Sequence, residues 1–172
     1  TLDYLSDFIE LIDDLEVPLS VFVVGKMLER FPEAVEQLRS ELNCEFHLHS
    51  FQHDTSKSYD FATEIERGKK AFHEFFGRDP IGYRAPQGNI EPAEFQILEN
   101  NGFVFDSSIF PSYRPGVYNN LEAPLQPYIP DEVTDLLEIP FGATPWTRVP
   151  IAQSYLKLIG RPYLRYLKSG PL

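Results

Sequence analysis

The chain has 172 residues, 42% of them apolar, with 14 Phe and 9 Tyr, which is enough to bury a sizeable core and too hydrophobic for a disordered tail. Its 26 acids against 15 bases give a net charge of −11, with no basic run, so neither nucleic acid nor an anionic membrane surface is the expected partner. No apolar run has the length that spans a bilayer, and a single cysteine excludes an internal disulfide without fixing a compartment.

Leu2, Leu5, Phe8, Ile9, Ile12 and Leu15 recur at helical spacing, with Thr1 as a cap and Pro18 at the exit. The chain starts without Met and drops straight into this pattern, and Thr1-Leu2-Asp3-Tyr4 is no signal peptide, so it reads as a fragment. Leu19–Val24, LSVFVV, predicts a strand covered on both faces, ended by Gly25. Pro32 opens a helix, PEAVEQLRSEL, with Val35, Leu38 and Leu42 on its buried stripe.

The stretch Asn43–Asp54, NCEFHLHSFQHD, concentrates three of the four histidines and the only cysteine. Its alternation predicts a strand ending at His49, with His53 one turn further on. Four residues across a strand end can bring two imidazoles onto one cation, although the spacing alone is equally met by histidines bonded to backbone. Tyr59–Phe76 predicts a long helix stopped by Gly77, with His73 on its surface. A short strand, IGYRA, then ends near Arg84; Pro92 opens another helix, and FVFDSS follows as a strand. Helices alternating with short apolar strands argue for an α/β fold with parallel strands and outer helices.

Residues 111–150 change character, holding eight of the fifteen prolines together with Tyr113, Tyr118, Tyr128 and Trp146. The aromatics mark this segment as a loop or insertion that walls a groove rather than a solvated linker, with LLEIPF as one more strand inside it. The final IAQSYLKLIGRPYLRYLK predicts one amphipathic, locally basic outer helix, a better fit than a membrane-surface segment.

In parallel α/β folds ligands gather beyond the carboxyl ends of the strands, where His49, Arg84 and Asp106 fall in succession. Each has a plain alternative as a surface or turn residue. Together they suit metal-assisted hydrolysis, in which neutral imidazoles bind Zn²⁺ or a similar ion and an Arg–Asp pair orients a neighbouring group.

The ordered motifs VFVVGKMLERFPEAV, HSFQH, YRAPQG, FDSSIFP and LLEIPF resemble those of the polysaccharide deacetylases of the NodB-homology, carbohydrate-esterase type, over roughly Asp3–Phe141. The resemblance implies part of a distorted, TIM-like (β/α)7 barrel, with residues 1–172 forming a single truncated domain. It implies that His49 and His53 hold a divalent metal, zinc above all, with cobalt or nickel in some members. Arg84 would orient the catalytic base and Asp106 would in turn orient Arg84. Pro86, Gln87 and Gly88 would shape the acyl pocket, with Trp146 stacking on substrate. The implied reaction removes N-acetyl groups from a polysaccharide or amino sugar by attack of metal-bound water on the amide.

The chain departs from the family at three points. The first motif, which supplies the base Asp and the Asp ligand, is missing, and Asp3 abuts a helix too closely to stand in for it. The late histidine that protonates the leaving amine is missing as well, and Gln87 replaces the usual aromatic or small residue. A noncatalytic glycan-binding relative, a small-molecule amidohydrolase of allantoinase type, and a structural zinc site on Cys44 with His47, His49 or His53 are the alternatives.

Overall fold

The computed structural model describes residues 4–169; Thr1, Leu2 and Asp3, and with them the expected cap, lie outside the described residues. Helix α1 (Leu5–Asp14) leads to strand β1 (Leu19–Val23), and helix α2 (Gly25–Arg30) follows after Val24 alone. Gly25 therefore starts a helix as well as ending a strand, a short element that its six residues were too few to reveal by periodicity. Helix α3 (Pro32–Glu41) has Pro32 at its first turn, and strand β2 (Cys44–Leu48) comes next. Helix α4 (Phe61–Phe76) is capped by the Asp60 carboxylate on the Thr63 N–H and closed by Gly77 at φ 68°.

Strand β3 (Gly82–Tyr83), helix α5 (Pro92–Asn100) and strand β4 (Phe105–Asp106) continue the alternation. Residues 111–150 hold a small hairpin, β5 (Tyr113–Arg114) with β6 (Tyr118–Asn119), and then β7 (Leu137–Glu138). The basic C-terminal stretch is two helices, α6 (Gln153–Ile159) and α7 (Arg161–Ser169), not the single helix its periodicity suggested. Gly160 at φ 72° breaks it, and Pro162 lies in the first turn beyond the break.

Five strands form one parallel sheet in the order β1-β2-β3-β4-β7. Sequential strands are neighbours, so all their carboxyl ends lie along one rim. Strand β1 is an edge among the described residues and buries only Val23, which corrects the expectation of cover on both faces. The core is Leu48, Ile65, Phe72, Tyr83, Leu98 and Leu136 with their neighbours, between the sheet and helices α4 and α5. Gly68 of α4 permits that approach, because a Cβ there would lie 2.9 Å from the Leu48 side chain.

Candidate active site at the carboxyl rim

The rim is built by backbone hydrogen bonds that run past the strands themselves. The His49 N–H donates to Val23 O, Arg84 N–H to Leu48 O, Ser107 N–H to Tyr83 O and Ile139 N–H to Asp106 O. His49 thus stands one residue beyond β2 rather than inside it, still held by the ladder. Its Nδ1 contacts the Arg84 carbonyl at 2.6 Å, which assigns the proton to Nδ1 and leaves Nε2 free. Burial, and to a lesser degree the neighbouring His53 and Arg84 charges, push the His49 imidazole down to about 4 against the Arg84 bond, so it is neutral at physiological pH. The His53 ring lies 4.9 Å from it, edge to face.

The loop between the two imidazoles is fixed from two sides. Ser50 Oγ donates to Glu64 Oε2 at 2.6 Å, and Gln52 gives its N–H to the same oxygen and its Nε2 to Oε1. On the other side the Gly25 and Lys26 N–H groups donate to Ser50 O and Phe51 O. Phe51 is buried beneath the Arg67 guanidinium, 4.0 Å from the ring centre. Ser50 and His53 both take positive φ, 64° and 59°, a cost the surrounding bonds must offset. Sequence reasoning missed Glu64. The signal was available: Phe61, Glu64, Ile65, Gly68 and Phe72 share one helical stripe, and a carboxylate on a buried stripe needs partners.

Arg84 is held between aromatic faces, 3.9 Å from the Phe22 centroid and 4.2 Å from that of Phe141. Its Nε donates to Ser107 O and its Nη2 to Ser107 Oγ. Burial lowers it to about 10, so it keeps its charge at neutral pH. The direct grip on Arg84 thus belongs to Ser107, not to Asp106 as the resemblance implied. The Asp106 carboxylate instead accepts from the Ser108 N–H and hydroxyl and meets Glu138, with Arg84 acting on it only through charge. The physical reason is alternation at the strand end: Asp106 closes β4 and meets Glu138, whereas Ser107, the next residue, faces Arg84.

Pro86 and Gly88 are buried and Gln87 is exposed, in a single 3₁₀ turn with Gln87 at φ 57° and Gly88 at 67°. A Cβ on Gly88 would lie 2.6 Å from Ser108 O, so this turn is packed against the segment after β4. Beyond Gln87 a cavity of about 350 Å³ is lined by Phe110, Arg114, Tyr118 and Tyr155 among others. Phe110 stacks on Phe141 at 3.7 Å and on Tyr118 at 5.7 Å, a run of rings leading out from Arg84. Trp146 is not brought to this cluster's rings; it is 86% exposed and stacks on no described aromatic.

The remaining candidates fall away from the rim. His47 is buried between Phe22 and Phe105 as a core residue, and Cys44 donates its thiol to Leu38 O. His73 is exposed and bonded to Asp79. Among the described residues no three His, Cys, Asp or Glu gather as a metal-binding group.

The polysaccharide deacetylase family profile matches residues 3–105, more than half of the chain, and its span includes His49, His53 and Arg84. The chain belongs to the polysaccharide deacetylase family. Peptidoglycan deacetylase-like protein FGM2 of Gibberella zeae is 26% identical over 91 residues, 51% of this chain and 27% of its own length. A candidate polysaccharide deacetylase from Mycobacterium smegmatis superposes with a TM-score of 0.67 at 22% identity, over 94% of this chain and 58% of that one. PuuE allantoinase gives 0.60 at 20% identity, over 81% and 45%. At these identities the structural likenesses speak to fold, which is the (β/α)7 barrel-like one of the family's deacetylases. The chain spans less than two thirds of the length of each of these relatives.

Proposed function

We propose that the protein is a metal-dependent hydrolase that removes N-acetyl groups from a polysaccharide or amino sugar. Family and fold support deacetylase chemistry. The observation that carries the finer reading is the pair of imidazoles at the rim, with His49 Nδ1 committed to the Arg84 carbonyl. A ligating histidine commonly has its second nitrogen tied to such an acceptor, which fixes tautomer and ring orientation. The neutral state of His49 is the ligating state, and two nitrogen donors suit zinc, cobalt or nickel.

Bound by His49 and His53, a divalent ion would supply Lewis-acid polarisation of the amide carbonyl and ease the ionisation of water. Arg84 would hold the carboxylate of a general base, since its Nη1 bonds no described residue and the Phe22–Phe141 sandwich keeps the guanidinium plane fixed. The turn at Pro86, Gln87 and Gly88 would wall the acyl group, backed by Ser108. The aromatic cavity beside Gln87 offers ring faces on which a sugar would stack. The reading requires one carboxylate ligand and one base from outside the described residues.

Acetate release from N-acetylglucosamine oligomers by the full-length protein tests it, with and without a chelator. Chelator-sensitive release, lost in His49→Ala and His53→Ala, is expected. Saturable glycan binding with no acetate would identify a noncatalytic relative, and hydrolysis of allantoin alone would identify a small-molecule amidohydrolase.

A further inference from the structure

Beneath the rim lie two carboxyl groups that no cation among the described residues neutralises by contact. Asp106 and Glu138 are partners in the β4–β7 register, and both are 0% exposed. Their side chains are in hydrogen-bonding contact. The charged and titratable groups facing them are Arg84, Tyr83 and Tyr128, and the guanidinium spends Nε and Nη2 on Ser107. Adjacent buried carboxylates without a bonded counter-ion do not both ionise.

Their other bonds tell the two apart. Asp106 is equipped for charge: Oδ1 accepts from Ser108 Oγ at 2.7 Å and Oδ2 from the Ser108 N–H at 3.1 Å. Glu138 Oε1 accepts from the Ile109 N–H at 3.0 Å, whereas its buried Oε2 meets no donor among the described residues. With Oε1 engaged by a donor, Oε2 meeting none and a carboxylate beside the group, the proton of the pair belongs on Glu138.

We propose that Glu138 is kept as the neutral acid, donating from Oε2 to the Asp106 carboxylate, and that this pair is the positioning element for Arg84. Burial, followed by the Asp106 charge, raises Glu138 well above the usual carboxylate range, in the sense the geometry requires. From the pair, order passes along two short routes. Ser108 Oγ, while donating to Asp106, accepts the Ala85 N–H at 2.7 Å and so fixes the peptide after Arg84. Ser107 Oγ donates to Ile139 O, next to Glu138, and accepts from Arg84 Nη2. Glu138 is thus a positioning residue, acting on the guanidinium through Ser107 and Ser108. Its consequence for turnover rests on the deacetylase reading; the protonation of the pair does not.

Infrared spectroscopy and arginine-side-chain NMR on the full-length protein test both halves. At neutral pH the wild type should show the C=O stretch of a buried neutral carboxylic acid, and Glu138→Gln should abolish it. In Glu138→Gln the amide still donates to Asp106, so the Arg84 Nε resonance should stay in place. In Glu138→Leu it should move, with a fall of about a hundredfold in kcat at similar KM. If Glu138→Leu does not fold, Asp106→Asn provides the same shift test, because it leaves Glu138 and Ser108 one acceptor oxygen where there were two. No acid band, or one that survives Glu138→Gln, overturns the shared proton. An Arg84 resonance unmoved in Glu138→Leu or Asp106→Asn overturns the positioning role. A wild type that releases no acetate counts against the deacetylase reading alone, since the acid band and the Arg84 shift are measured without turnover.

Discussion

Arg84 illustrates how much a single side chain is asked to hold still. Two of its N–H groups are committed to Ser107 and both faces of its plane to Phe22 and Phe141. Lysine would keep the charge but lose the planar fork and the stacking. Arg84→Lys in the full-length protein should therefore lower turnover about a hundredfold, the scale set by misplacing a catalytic group, while metal content stays nearly unchanged. Steady-state kinetics beside metal analysis checks this, and wild-type turnover would remove Arg84 from the site. From the sequence Arg84 stood out because it follows a short strand and precedes Ala85-Pro86. Nothing in the sequence pointed to Phe22 or Phe141, which lie far away in the chain and meet Arg84 only across the rim.

At the scale of elements, the loop Ser50–Gln52 and helix α4 behave as one unit joined by Glu64. Glu64→Ala removes the acceptor for three donors and leaves buried polar groups unpaired, a loss of about 2 kcal/mol. The same change should weaken zinc binding about tenfold or more, as removal of supporting bonds around ligands does. Thermal unfolding and zinc titration read the two effects separately; a variant that unfolds earlier but binds zinc as before would confine Glu64 to stability. Helix α5 holds the approach to β7 in a similar way, for Glu99 Oε1 accepts the N–H groups of Thr134 and Asp135 at 2.8 and 2.7 Å. Those backbone donors hold Glu99 below the usual carboxylate range. A folded-state pKa below the unfolded one gives stability that is present above the unfolded value and lost as pH falls through the folded one. Hydrogen exchange at Thr134–Leu136 should accordingly speed up, beyond the intrinsic pH trend, as the carboxylate protonates in acid. Glu99→Gln should show that faster exchange already at neutral pH, and equal protection in both proteins would dismiss the cap.

For the whole molecule the question is what two imidazoles achieve where the described residues bring no third ligand to them. Catalytic zinc sites draw on three protein ligands, and the described residues gather no such trio. The 172-residue chain should therefore bind zinc weakly, with binding abolished by His49→Ala or His53→Ala and little changed by Asp3→Ala. Calorimetric titration of the three variants decides it. Unchanged affinity in His53→Ala would end the metal reading of the rim, and loss in Asp3→Ala would make Asp3 a ligand.

Local chemistry alone determined a good part of this protein. The period of the apolar residues set α4, α5 and the parallel α/β alternation, proline and glycine marked their ends, and His49, His53, Arg84 and Asp106 fell at or just beyond successive strand ends. Those signals are short-range, written within a few turns or one strand, and so survive in one dimension. The break at Gly160 and the six-residue α2 escaped because neither repeats often enough to show a period. What only the tertiary structure decided is which groups meet: Ser107 rather than Asp106 at Arg84, Glu64 under the histidine loop, and Glu138 against Asp106. Each of those pairings joins residues 14 to 32 positions apart. They are chosen by sheet order, register and the need to satisfy every buried polar group at once, and a linear pattern carries none of these.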